Sequence, residues 1–109
     1  MAQAHKVLAQ SKPSATTLTD AYTVPASTQT IVSTVAICNQ SATPTTFRFS
    51  VAVAGLADTA KQYIAYDAPI DGNQTITLTI GITLAATDVL RVYNTLATLS
   101  FNVFGVEIS

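Results

Sequence analysis

The stretch Asn73–Leu84, reading Asn-Gln-Thr-Ile-Thr-Leu-Thr-Ile-Gly-Ile-Thr-Leu, decides the fold class. Ile76, Leu78, Ile80, Ile82 and Leu84 take every second position, with Thr75, Thr77, Thr79, Gly81 and Thr83 between them. Successive side chains on a strand point to opposite faces, so the pattern makes one aliphatic face and one threonine face. A helix would scatter the same aliphatic residues around its circumference. The stretch predicts a strand whose Ile/Leu face is covered by a second sheet. Its threonine face is flat and uncharged, open to solvent or to a neighbouring subunit.

Working outward, Thr45–Ala54 supplies the opposing half of a core: Phe47, Phe49, Val51 and Val53 share one face, and Thr46, Arg48 and Ser50 the other. Gly55–Ala60 reads as a loop or one helical turn, and Lys61–Asp67 as an outer strand. Pro69-Ile70-Asp71-Gly72-Asn73 is a turn, because Gly and Asn tolerate positive φ. Thr28–Gln40 is rich in β-branched residues in both phases, which predicts a strand covered on both sides, one cover coming from a partner or the N-terminal arm. Thr16–Val24 alternates through Leu18, Tyr22 and Val24. Before it, Lys12-Pro13-Ser14 ends the segment His5–Ser11, since Pro13 has no N–H for a ladder. Residues 1–14 thus form either an edge strand or an extended N-terminal arm.

Downstream, the turn Ala85–Asp88 leads to Val89–Tyr93, and Thr98–Ile108 closes the chain. In this last segment Leu99, Phe101 and Val103 face one way, while Phe104, Val106 and Ile108 face the other. A bulge near Gly105, or a cover on both faces, accounts for that change. About seven or eight short strands, spaced by Pro, Gly and Asn turns, predict an all-β, single-domain antiparallel β-sandwich (Ig-like or jelly-roll-like) over residues 1–109.

Composition narrows the function classes. Charged residues make up 10% of the 109-residue chain, against ~25% in an ordinary soluble domain. Such a surface of hydroxyls, amides and methyls offers little repulsion between copies, which favours a homo-oligomer or a larger assembly. Lys6, Lys12, Arg48, Lys61 and Arg91 are dispersed, which argues against nucleic acid as a partner. No apolar run approaches the ~20 residues of a membrane helix. The opening Met-Ala-Gln-Ala-His-Lys-Val-Leu lacks the pattern of a secretory signal, so synthesis in the cytoplasm is expected. Cys38 stands alone, which excludes an intrachain disulfide, and it reads as a small buried hydrophobe.

Catalytic and metal chemistry finds no constellation. One histidine, His5, and one cysteine do not make a zinc set. Asp67, Asp71 and Asn73 lack the spacing of a calcium loop. A serine nucleophile has no base beyond His5, no Gly-rich phosphate loop is present, and the acids fall mostly in turns. Asn39-Gln-Ser41 and Asn73-Gln-Thr75 match the glycosylation pattern by chance in a Thr/Ser/Asn-rich chain. The expectation is a non-enzymatic protein with no cofactor. Sugar platforms combine exposed aromatics with amides and carboxylates. Tyr63, Tyr66 and Asp67, with Tyr93 available, form the alternative glycan-contact set.

Several segments carry a resemblance over nearly the whole chain. They are Lys6-Val7-Leu8-Ala9-Gln10-Ser11, Thr16-Thr17-Leu18-Thr19-Asp20-Ala21-Tyr22-Thr23-Val24-Pro25, Tyr63-Ile64-Ala65-Tyr66-Asp67, Leu84-Ala85-Ala86-Thr87-Asp88-Val89 and the closing Leu99-Ser100-Phe101-Asn102-Val103-Phe104-Gly105-Val106-Glu107-Ile108. With them the sequence resembles small virion proteins encoded among the structural genes of tailed bacteriophages. The resemblance implies a β-sandwich displayed on a virion and brings no active-site residues. It implies a capsid decoration (cement) protein, or a neck, tail or baseplate appendage. The partners would be the major capsid protein or tail and neck proteins. Contacts are expected through His5, Lys6, Val7 and Leu8 at the N-terminus and through Phe104, Val106 and Ile108 near the C-terminus.

Overall fold

The computed structural model describes residues 2–109, which form two antiparallel sheets packed face to face. The strands are β1 (Gln3–Ser11), β2 (Thr19–Thr23), β3 (Gln29–Asn39), β4 (Thr45–Ala52), β5 (Tyr63–Ile70), β6 (Thr75–Leu78), β7 (Ile82–Leu84), β8 (Val89–Asn94) and β9 (Leu99–Ile108). The first sheet runs β1-β9-β3-β6, with β7 also paired to β3, and the second runs β2-β8-β4-β5. The nine strands exceed the expected seven or eight because the stretch Asn73–Leu84 divides into β6 and β7.

The core lies where the inner faces meet. Phe47 and Phe49 of β4 and Leu90 and Val92 of β8 oppose Val35 and Ile37 of β3 and Phe101 and Val103 of β9, all fully buried. Phe47 and Phe101 meet edge to face across the sheets, with centroids 6.3 Å apart. Burying each such side chain is worth ~1.5–3 kcal/mol relative to leaving it in water, and this core is the main force holding the sheets together.

The organising stretch is not one strand. Ile76 and Leu78 pair with Ile37 and Val35, and Ile82 and Leu84 pair with Val32 and Thr30. Between the two halves, Thr79-Ile80-Gly81 leaves the ladder, with Gly81 at φ +64° and Ile80 54% exposed rather than in the core. Leu78 and Ile82 are four residues apart, so the inward phase survives the interruption. Alternation alone therefore hides it. The break faces a bulge at Ser33 in β3, where the register with β9 also shifts.

The last strand resolves its apparent phase change differently from either expectation. Strand β9 alternates without interruption, and its inward positions after Val103 are Gly105 and Glu107. The register shifts fall on its neighbours, at Leu8 in β1 and Ser33 in β3. Both crowd Gly105: a Cβ there would lie 2.1 Å from the Ile31 carbonyl oxygen and 3.0 Å from Leu8 Cδ1. Glycine is needed at this point for close approach.

Three further expectations change. Val53 leaves the Phe47 face, because Val53–Gly55 is a 3-10 turn that opens the side chain to solvent. Within the chain, strand β3 is covered on its inner face only and not by the N-terminal segment, so Ile31 is exposed and Cys38 is half-buried on the outer side, not in the core. Asn39, by contrast, is buried, and its amide donates to the carbonyls of Thr43 (2.9 Å) and Asp71 (3.2 Å), tying two turns together. A Cβ on Gly72 would lie 2.0 Å from the Ala42 carbonyl oxygen in the same junction. The positive φ of that turn belongs to Asn73.

Candidate functional site

The sandwich presents two outer faces of opposite character. Outward positions of the first sheet are Gln3, His5, Val7 and Gln10 on β1, Ser100, Asn102, Phe104, Val106 and Ile108 on β9, Ile31, Thr34, Ala36 and Cys38 on β3, and Thr75, Thr77 and Thr83 on β6 and β7. Among the described residues, this face carries no Asp, Glu, Lys or Arg. Val7 and Phe104 sit opposite one another and both are exposed, as is the nearby Ile31. Four strands of about ten residues make a surface on the order of 600 Å². A standard interface takes ~800 Å² from each partner.

Residues 3–11 are therefore strand and not free arm. They pair with β9, and the Ala2 N–H donates to the Ser109 carbonyl beyond the paired ends. Of the expected contact residues, His5, Val7, Phe104, Val106 and Ile108 share the outer face. Lys6 and Leu8 do not. Leu8 packs against the core at its bulge, and Lys6 Nζ lies 2.6 Å from Glu107 Oε1. The other oxygen of that carboxylate accepts the Tyr22 hydroxyl at 2.5 Å.

The second sheet's outer face holds the chemistry. Strand β4 places Arg48 opposite Tyr93 of β8. On its other side the register slips, so that Tyr66 and Asp67 of β5 face the single residue Arg48. Asp67 takes φ +51° in this bulge, a left-handed conformation that Asp tolerates better than most residues. The bulge aims its carboxylate at Arg48, whose Nε donates to Oδ1 at 2.7 Å. The guanidinium is sandwiched between two rings, 4.2 Å from the Tyr66 centroid and 4.4 Å from that of Tyr93. Tyr63 meets Tyr66 at 89° with centroids 4.9 Å apart, and its hydroxyl donates to Asp58 Oδ2 at 2.8 Å. Burial, then the Asp58 hydrogen bond, raises the Tyr63 pKa. The Asp67 hydrogen bond raises that of Arg48.

Segment 53–62 folds over this face as the wall of a shallow cleft of about 510 Å³, lined by Arg48, Asp58, Thr59, Ala60, Tyr63 and Tyr66. Two anchors hold the wall, Asp88 buried and Arg91 partly so. Asp88 accepts the N–H groups of Ala54 and Ala85, each at 2.9 Å. Arg91 donates to the carbonyls of Leu56 (2.8 Å) and Gly55 (3.2 Å) and to Asp20. A capping box between Thr59 and Gln62 shapes the turn at Ala60–Gln62.

The structure brings Tyr63, Tyr66 and Asp67 together as one cluster. Sequence reasoning missed Arg48, Asp58 and Thr59, which come from other segments. The signal for Arg48 was slight: a lone charge among Thr and Ser on the outward face of an amphipathic strand. Among the described residues, no group of His, Cys, Asp and Glu is placed to hold a metal, and no helix is long and apolar enough to cross a membrane.

Compared with protein-family models and with curated proteins, the chain matches none of them.

Proposed function

We propose that this chain is a non-enzymatic structural protein of the exterior of a tailed bacteriophage particle, seated through the outer face of its first sheet as a capsid decoration (cement) subunit. The observation that carries the reading is the uncharged face itself, with Val7, Ile31 and Phe104 open beside the threonines of β6 and β7. Docking such a face removes apolar surface from water and strands no charge. Contacts that exist only in the assembled shell stabilise it by binding linkage. Repetition around a symmetric shell, with copies of this chain adjoining one another, suits a small rigid sandwich. Attachment at the neck or tail would use the same face.

The test is incorporation into particles. Truncating residues 1–10 would strip an edge strand from β9, so point substitutions are the cleaner probe. Thr77→Arg and Phe104→Arg should leave the isolated domain folded and abolish its recovery with purified particles. Copy number in a particle reconstruction separates the sites: hundreds over the head indicate decoration, and a single ring indicates neck or tail. Absence of the unsubstituted chain from purified particles would sink the proposal.

A further inference from the structure

We infer that the cleft on the second sheet binds a neutral pyranose unit of a polysaccharide, with Tyr66 as its stacking platform and Asp58, Arg48 and Thr59 as its hydroxyl partners. This inference does not rest on the docking proposal. The two faces look in opposite directions, so either could be occupied while the other stays free.

Three observations carry it. The first is shape. A volume of about 510 Å³ falls within the ~300–1,000 Å³ of small-molecule sites. Tyr63 and Tyr66 meet at a right angle and build an aromatic corner, and Tyr66 stays 59% exposed although Arg48 and Tyr63 pack against it. Aromatic surface left open at a polar cleft suits a ligand with both C–H faces and hydroxyls.

The second is the arrangement of unused hydrogen-bonding capacity. Asp58 spends Oδ2 on Tyr63 and keeps Oδ1. Arg48 spends Nε and, at 3.4 Å, Nη2 on Asp67, and keeps Nη1. The Thr59 hydroxyl lines the cleft with a proton to donate and lone pairs to accept. A carboxylate acceptor beside a guanidinium donor matches the donor and acceptor roles of adjacent sugar hydroxyls.

The third is charge. Arg48 brings one positive charge against the two negative charges of Asp58 and Asp67, which disfavours sialic and uronic acids. A quaternary ammonium would need the space between Tyr66 and Tyr93, and Arg48 already fills it. An extended proline-rich peptide needs a long groove, whereas this cleft is walled by Asp58–Ala60.

The test uses the full chain on an array of neutral glucans, mannans and galactans, sialylated and uronic-acid glycans and proline-rich peptides. Titration with glucose, galactose, mannose and N-acetylglucosamine to about 10 mM follows, because a single ring on an open platform binds weakly. With four tyrosines and no tryptophan, intrinsic fluorescence reports the tyrosines directly. Binding to at least one neutral class is expected, with a loss of affinity of about tenfold or more in both Tyr66→Ala and Asp58→Asn, variants of exposed residues. Thr77→Arg, on the opposite face, should bind unchanged. Silence on the neutral glycans would overturn the inference. So would recognition of peptides or acidic glycans alone, unimpaired binding by both cleft variants, or loss of binding in Thr77→Arg. Failure of the docking proposal would appear in particle incorporation, which these measurements do not touch.

Discussion

Lys6 of the first strand and Glu107 of the last approach to 2.6 Å, and Tyr22 of the facing sheet completes the junction by donating to the same carboxylate. The Tyr22 hydroxyl also lies 2.9 Å from the Thr30 hydroxyl. Three strands that close one end of the sandwich are thus joined through one inward-facing acid. The Lys6 hydrogen bond, then that from Tyr22, holds the Glu107 carboxyl below its ordinary value of 4.5. Its contribution is therefore complete above that value and is lost as pH falls through the lower folded-state value. Lys6 is half-exposed, so its share is at most about 1 kcal/mol. Glu107→Gln should cost about 1–2 kcal/mol at pH 7, and the difference from the unsubstituted protein should shrink in denaturant titrations below pH 4.5.

Tyr22 itself makes the alkaline counterpart. Burial, then the hydrogen bond to Glu107, pushes its pKa from 10.0 to about 12. The stability this represents is present below 10.0 and is lost as pH rises through about 12. In a spectrophotometric titration Tyr22 should ionise late, at about 12, and Tyr22→Phe should remove that late step. The substitution should cost about 1–3 kcal/mol, since a buried hydroxyl bonded to a charged group is deleted.

Gly105 and Gly81 should respond very differently to alanine. At Gly105 the new Cβ meets the Ile31 carbonyl oxygen at 2.1 Å, so backbone must move, and a loss of about 3 kcal/mol or more is expected. At Gly81 nothing lies within 4 Å, and the only penalty is φ +64°, worth about 1–2 kcal/mol. Chemical denaturation of the two variants gives the comparison.

The cleft wall should loosen when its anchors are cut. Arg91→Ala removes the donors to Gly55 and Leu56, and Asp88→Asn supplies only one acceptor oxygen for the N–H groups of Ala54 and Ala85. Each should cost about 1–3 kcal/mol. Amide exchange should accelerate in residues 53–62 before the core strands are affected.

At the ion pair, Arg48→Lys should not behave as a conservative change. An ammonium cannot lie flat between Tyr66 and Tyr93 while donating from a side to Asp67. A cost of about 1 kcal/mol is expected, with altered chemical shifts on both tyrosine rings as the direct readout.

Much of this architecture was legible in the chain. The alternation in Thr45–Ala52 and Ile76–Leu84 specified strands with one dry face, and both contribute to the one core. The tyrosine pair was visible as a candidate, because Tyr63 and Tyr66 are near neighbours in sequence. Tyr93 was available as a third aromatic, but the polar partners were not visible. Arg48 and Asp58 reach the cluster through strand pairing and a folded-over segment, and no local pattern encodes that.

What the sequence by itself determined was the two-residue period, the turn chemistry and the shortage of charge, all of which act over a few residues. Tertiary structure alone decided where the ladders slip. The bulges at Leu8, Ser33 and Tyr66–Asp67 arise because neighbouring strands must keep both their hydrogen bonds and their buried faces. The reconciliation is non-local. It expels Ile80 from the core, demands glycine at 105, turns Glu107 inward to Lys6 and Tyr22, and swings Asp67 onto Arg48.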